Sequence, residues 1–158
     1  MQARCVTMAN LTEIQQRVAG QAIVRNVDQI AHGHVRIETA FLYPEGGTVD
    51  LFIPVEHTSR RELCLSDLGR TMEWLLDVQI RPWRSKERQS IVDDALRLYG
   101  VRQKGGALEL PLASLDDLVP GIIRLGQACI RVADLIYTRR SSLQTPATEA
   151  LEDKTNPK

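Results

Sequence analysis

Hydrophobic and polar residues alternate with different periods along the chain, and the changes of period predict the order of its elements. Over residues 34–41 and again over 49–53, apolar side chains recur at every second position, which is typical of half-buried β-strands. Residues 44–47, Pro-Glu-Gly-Gly, separate these runs and predict the turn of a β-hairpin. Leu63 and Leu65 predict a third short strand.

Helical spacing, with apolar residues three or four positions apart, occurs on both sides of this hairpin. Residues 11–31 predict two short helices or one bent helix, which begins at a capping box of Asn10 and Glu13. Two further helices are predicted over residues 68–78 and 85–100.

A strand and a long helix are predicted for the last third of the chain. Residues 107–112 alternate in period two after a pair of glycines, which favours a strand. From Ser114 onward, six apolar residues recur at spacings of four and three and form one seam: Leu118, Ile122, Leu125, Cys129, Val132 and Ile136. We expect this seam to be buried, either in the core or against a second copy of the chain.

The predicted order defines an α+β fold. It comprises an N-terminal helix, a three-stranded and mostly antiparallel sheet, two helices, one further strand and a long C-terminal amphipathic helix. Residues 1–140 are predicted to form a single domain. Residues 141–158 are rich in Ser, Thr, Pro, Glu and Lys and are predicted to be a disordered polar tail.

Composition narrows the class of protein. The formal net charge is zero, so no overall field draws the chain to nucleic acid or to anionic lipid. No apolar run approaches the roughly 18 residues that span a bilayer, and no signal peptide is evident, which predicts a cytoplasmic protein without membrane contact. The three cysteines lie far apart, which argues against a disulfide framework.

Catalytic and metal-binding patterns are weak. The pair His32 and His34 has the spacing of two ligands on one strand, but it lacks a third ligand nearby and is expected to be polar surface. A nuclease-like magnesium site would have to draw its carboxylates from Glu13 or Glu38, Asp50 and Glu62. The lysine of such a site is missing before Lys86. We therefore expect no catalytic set, metal or cofactor.

Residues 66–70 form the entry to the second predicted helix. Gly69 and Arg70 follow a strand and open a helix, which makes Asp67, Gly69 and Arg70 a candidate anion site. The alternative is a tight turn in which Ser66 or Asp67 caps the helix, and we favour it because a carboxylate repels phosphate. Loss of a cap at Asp67 would then cost about 1 kcal/mol.

A candidate interaction surface precedes and opens the third predicted helix. Trp83 is flanked by Arg81 and Arg84, with Arg88 one turn further on. Tryptophan and arginine are enriched at binding hot spots, and an aromatic among cations also stacks on nucleic-acid bases. Trp83 would either plug the base of the helix, which we favour, or stand out as an anchor with the arginines at its rim.

Several of these segments resemble an uncharacterised bacterial and phage family, domain of unknown function 1828. The segments are RIETAFLYPEGGTVDLFI, LCLSDLGRTMEWL, LRLYGV, ALELPL and LGQACIRVADLIY, from about residue 30 to residue 137. Positions that recur in the family correspond to Thr39, Ser66, Asp67, Gly69, Tyr99, Gly100 and Val101. Members of that family often carry an aspartate in the hairpin turn, whereas this chain has Gly46 and Gly47 there. The resemblance implies a bacterial, phage or mobile-element setting and no particular activity.

These observations favour a non-catalytic protein-interaction or regulatory protein of a phage, prophage or mobile element, with a host defence system as one candidate target. Its partner would be another protein or a second copy of the chain, bound through the helix over residues 118–136. The alternative is a nucleic-acid-binding protein or a divergent metal-dependent nuclease.

Overall fold

The computed structural model describes residues 9–55 and 62–138. The helices and strands follow in the order α1 (Leu11–Val18), β1 (Val24–Ile30), β2 (His34–Leu42), β3 (Thr48–Pro54), β4 (Cys64–Ser66), α2 (Arg70–Asp77), α3 (Lys86–Tyr99), β5 (Arg102–Lys104), β6 (Ala107–Pro111) and α4 (Leu118–Ala133). Short 3-10 helices occur at Pro82–Arg84, Leu115–Asp117 and Asp134–Tyr137. The tail predicted over residues 141–158 lies outside the described residues.

The strands form one six-stranded sheet in the order β1-β2-β3-β4-β6-β5, and each neighbouring pair is antiparallel. The helix α4 lies against β2, β3, β4 and β6, and α1, α2 and α3 pack around it. The α+β class is therefore confirmed. The three-stranded sheet with one further strand was an undercount.

The strand β1 was wrongly predicted as helix. Its register shifts between Val24 and Asn26, so its half-buried residues do not alternate strictly. Ile23, Val27 and Ile30 then fit helical spacing as well as they fit an irregular edge strand. The helix α1 does begin at the predicted capping box, because the Glu13 amide donates to Asn10 Oδ1 at 2.9 Å.

The strand β5 was missed because its three residues are polar and exposed, so they give no hydrophobic pattern. It forms a hairpin with β6 through Gly105 and Gly106, whose φ angles are +57° and +85°. Positive φ at both central residues is the geometry of a tight two-residue hairpin turn, which glycine adopts at little cost. The glycine pair thus marked a hairpin rather than the start of an isolated strand.

The apolar seam of α4 lies in the core of a single chain. Five of the six predicted seam residues are fully buried: Leu118, Ile122, Leu125, Cys129 and Val132. The sixth, Ile136, is half-buried and lies in the 3-10 helix that follows α4. A second copy of the chain is not needed to cover these residues. Of the two alternatives for the seam, the structure supports the core.

Two glycines let α4 approach the sheet closely. A Cβ at Gly121 would lie 2.8 Å from Leu112, and one at Gly126 would lie 2.4 Å from the ring of Phe41. Glycine inside a helix costs about 1 kcal/mol relative to alanine. The close packing that these glycines permit offsets that cost.

No helix within residues 9–55 and 62–138 is long and apolar enough to cross a membrane.

Substitution of Leu125 by aspartate tests the burial of the seam. We expect Leu125→Asp to abolish the folded state, because the new charge would be buried without a partner. Leu98 on α3 is 73% exposed, and Leu98→Asp is the matched control, with an expected cost below about 1 kcal/mol. Circular dichroism during urea unfolding measures both. A folded Leu125→Asp chain would contradict this placement of α4.

Candidate functional site

The carboxylate of Asp67 joins three elements at one buried point. Its Oδ1 accepts the amides of Gly69 and Leu108, each at 2.8 Å, and its Oδ2 accepts the amide of Thr71 at 3.0 Å. Leu108 belongs to β6, whereas Thr71 belongs to α2, so the side chain ties the end of β4 to both. Asp67 is completely buried. It therefore does more than cap a helix.

The backbone that follows Asp67 has an unusual conformation. Leu68 has a φ of +52° with its side chain exposed, and Gly69 has a φ of +84° close to the backbone of Gly106. The Leu68 amide donates to Ser66 Oγ at 3.0 Å. The amides that an anion would need thus already donate to Ser66 or Asp67. This geometry is that of the capped turn, which was the alternative to an anion site.

A buried polar cluster adjoins this corner. The hydroxyls of Tyr43 and Thr71 are hydrogen-bonded at 2.9 Å, and the Tyr43 ring stacks on Trp74 with the centroids 5.5 Å apart. Burial raises the pKa of the Tyr43 phenol well above its usual range. Burial, with the nearby charge of Asp67 as a smaller cause, also raises the pKa of the Cys129 thiol. Both groups are thus held neutral.

Thr39 has a structural role that its sequence context did not reveal. The β2–β3 register is interrupted between Glu38 and Leu42, and Thr39 lies in this gap. Its hydroxyl donates to the Val49 carbonyl at 2.6 Å and accepts the Phe41 amide at 3.2 Å. The side chain therefore replaces ladder bonds that the bulge removes.

Arg70 leaves the capped turn for the sheet face opposite the helices. Its guanidinium bonds Asp50 at 3.1 Å and lies 4.8 Å from the ring centroid of Phe52. Arg36 also lies beside Asp50, at 3.8 Å, and bonds Asp28 at 3.0 Å. The nearly buried carboxylate of Asp50 is thus held between two arginines. Charge-assisted hydrogen bonds of this kind are stronger than neutral ones.

The carboxylates considered for a nuclease-like site occupy separate environments. Glu13 bonds the amide of Asn10, and Glu62 pairs with Arg102 at 2.8 Å. Glu38 and Asp50 are cross-strand neighbours, but Asp50 is bound by arginines. Within residues 9–55 and 62–138, no group of three or more His, Cys, Asp or Glu side chains is arranged to hold a metal ion.

Trp83 stands out from the surface beside α3. It lies in the 3-10 helix Pro82–Arg84 with 57% of its surface exposed, while Pro82 is buried at the junction. The expectation that Trp83 plugs the base of the helix is therefore corrected, because Trp83 is exposed whereas the neighbouring Pro82 is buried. The helix itself begins as predicted, with the Arg88 amide donating to Ser85 Oγ at 3.3 Å.

Exposed cations flank Trp83 in the sequence. Arg81, Arg84 and Lys86 are exposed, and none of the three forms an ion pair with a carboxylate in the described part of the chain. By contrast, Arg97 on the same helix pairs with Asp94 at 2.8 Å. We call Arg81, Trp83, Arg84 and Lys86 the Trp83 surface.

Arg88 is half-buried and has a different environment from the Trp83 surface. Its Nε donates to Thr138 Oγ1 at 2.9 Å. This bond fastens the chain that follows α4 to the first turn of α3. Arg88 was predicted to line the exposed rim of Trp83, and the structure places its guanidinium against Thr138. Tyr137, the preceding residue, is exposed.

A family model described as domain of unknown function DUF1828 matches residues 39–132, which is more than half of the 158-residue chain. The chain belongs to this family. No curated protein and no solved structure matches it.

Removal of the Asp67 carboxylate is expected to cost more than the loss of one helix cap. Asp67→Ala leaves three amides without an acceptor, and those of Thr71 and Leu108 are buried, so the expected loss of stability is about 3 kcal/mol or more. Ser85→Ala, which removes one capping bond, is the control, with an expected loss of about 1 kcal/mol. Urea unfolding measures both. Equal losses in the two variants would show that Asp67 is an ordinary cap.

Alkaline pH should destabilise the fold. Tyr43 and Cys129 stay protonated in the folded state, whereas the unfolded chain ionises them above about pH 8.5 for Cys and about pH 10 for Tyr. The unfolded state then binds fewer protons, so stability falls as pH rises, by up to about 1.4 kcal/mol per pH unit for each group.

Tyr43→Phe should flatten this decline above about pH 10, because it removes one of the two ionising groups. Unfolding midpoints between about pH 8 and pH 11 measure the slope. Tyr137→Phe, a change at an exposed phenol, is the control. An unchanged slope in Tyr43→Phe would refute the burial of its hydroxyl.

Proposed function

We propose that this protein is a non-catalytic interaction protein that binds an acidic surface or segment of another protein through the Trp83 surface. The single observation that carries the proposal is an exposed tryptophan among three cations that have no carboxylate partner in the described chain. The phage, prophage or mobile-element setting, with a host defence system as a candidate target, belongs to the same proposal.

The charges at this surface support an acidic partner. Arg36, Arg70 and Arg102 each pair with a carboxylate. Arg81, Arg84 and Lys86 instead carry positive charge without a carboxylate partner in the described chain, and they lie within three residues of Trp83. Complementary charge speeds encounter and fixes register, whereas a buried aromatic anchor supplies affinity. The Trp83 surface combines both elements.

A nucleic-acid strand is the competing ligand, because exposed aromatic rings among cations also stack on bases. The formal net charge of zero gives no long-range attraction for a polyanion, which favours the protein partner. Binding that weakens steeply as salt rises would indicate phosphate contacts instead.

Affinity capture from the native host tests the proposal. Tagged wild type, Trp83→Ala and Arg84→Glu are compared by mass spectrometry, with Arg97→Glu as the control because Arg97 is an exposed, paired arginine on the same helix. We expect a partner that wild type and the control retain. Both Trp83 surface variants should bind it at least about 30-fold more weakly.

Equal recovery of every partner by all four proteins would refute the role of the Trp83 surface. A parallel shift assay with single-stranded DNA and RNA at about 0.15 M salt separates the two ligands. A shifted band that Trp83→Ala abolishes would replace the protein partner by a nucleic acid.

A further inference from the structure

The exposed side of α2 carries a second surface, whose charge is opposite to that of the Trp83 surface. Leu76 is 41% exposed, and Glu73 and Asp77 are exposed as well. Residues three and four positions apart are neighbours on a helix, so Leu76 and Asp77 both lie next to Glu73. We call Glu73, Leu76 and Asp77 the Leu76 surface.

The carboxylates of the Leu76 surface form no ion pair within residues 9–55 and 62–138. Arg70, the cation that begins α2, instead bonds Asp50 at 3.1 Å. An exposed leucine thus lies with two carboxylates on α2, whereas the Trp83 surface has an exposed tryptophan with three cations. Glu87, in the first turn of α3, reduces the positive charge there by one but does not cancel it.

A tight turn joins the two surfaces. The amides of Gln79 and Ile80 donate to carbonyls in the last turn of α2 at 2.9 and 2.7 Å, and Gln79 has a φ of +63°. Only residues 78–80 separate Asp77 from Arg81, and these two form no ion pair with each other in the described part of the chain. Opposite charges therefore lie near each other without pairing inside one chain.

We propose that two copies of the chain associate by a reciprocal contact, in which the Trp83 surface of each copy binds the Leu76 surface of the other. A two-fold axis near the turn of residues 78–80 makes the contact occur twice, as in other symmetric dimers. Leu76 of one copy packs on the Trp83 ring of the second copy, and the carboxylates beside Leu76 pair with the cations beside Trp83.

This inference rests on the proposed function, because it places an acidic and apolar face on the same Trp83 surface. It also adds a form of regulation. The second copy occupies the surface at high concentration, and another protein has to displace it in order to bind.

The contact is small, which predicts a weak and reversible dimer. Each copy contributes the three side chains of the Leu76 surface and the four of the Trp83 surface. An interface of standard size involves about 20–30 residues a side. We therefore expect a dissociation constant of about 10–100 µM. It should rise as salt increases from about 0.05 M to about 0.5 M, because screening weakens the ion pairs.

Sedimentation equilibrium of the full chain between about 5 and 500 µM tests the inference. Wild type should pass from one copy to two over this range. Leu76→Ala and Trp83→Ala should each raise the dissociation constant at least about tenfold, because each removes one half of the apolar contact. Leu98→Ala, at an exposed leucine of α3 outside both surfaces, is the matched control and should leave the association unchanged.

Charge reversal tests the pairing of the two surfaces. The basic variant carries Glu73→Lys and Asp77→Lys, and the acidic variant carries Arg81→Glu, Arg84→Glu and Lys86→Glu. Each variant alone should remain monomeric where wild type dimerises, because like charges then meet in both contacts. An equal mixture should dimerise again, because each contact then joins opposite charges. Addition of Trp83→Ala to the acidic variant should abolish this rescue, which separates the contact from general attraction between oppositely charged chains.

Wild type that stays monomeric at about 500 µM would overturn this inference and leave the proposed function standing. Dimerisation that Leu76→Ala leaves unchanged would also overturn it, because the contact would then lie elsewhere. A mass that rises past two copies would overturn the reciprocal arrangement. The proposed function would fail separately, if Trp83→Ala and Arg84→Glu left partner capture intact. Leu76→Ala lies outside the Trp83 surface and should retain the captured partner.

Discussion

The fold depends on a single buried carboxylate. Asp67 accepts amides from its own turn, from α2 and from β6, so it links the sheet to the helical layer at one point. Without the Asp67 side chain, the amides where β4, α2 and β6 meet would have no acceptor in the interior. Each unpaired buried amide would be costly in free energy. The glycine that follows, with its positive φ, allows the turn to pass close to the β5–β6 hairpin.

Residues that hold the fold together can be distinguished from the exposed residue that the fold does not use. Thr39, Ser66, Asp67 and Gly100 maintain a bulge, a turn, a joint and a left-handed helix end. Trp83 has no comparable internal role among the described residues, because it is exposed whereas Pro82 beside it is buried. An exposed tryptophan that the fold does not use is the feature for which a binding role is the most economical explanation.

Sequence patterns predicted the elements in which apolar residues recur at a regular strand or helix spacing. The hairpin, the helix α3 between Ser85 and Gly100 and the apolar seam of α4 are confirmed. The patterns failed at the two sheet edges, because β1 contains a bulge and β5 is short and polar. The cap at Asp67 was expected, but its bond to Leu108 was not, because contacts between residues 41 positions apart leave no local signal.

The candidate surface was found by residue type. Its exposure was predicted incorrectly, because the burial of Pro82 and the exposure of Trp83 depend on tertiary packing.

Native-state hydrogen exchange tests the central claim, that Asp67 is the joint of the fold. The account predicts that the amides of Thr71 and Leu108 exchange only through global unfolding, with protection equal to the unfolding free energy. Fast exchange of these two amides through local opening, while the α4 core stays protected, would contradict it.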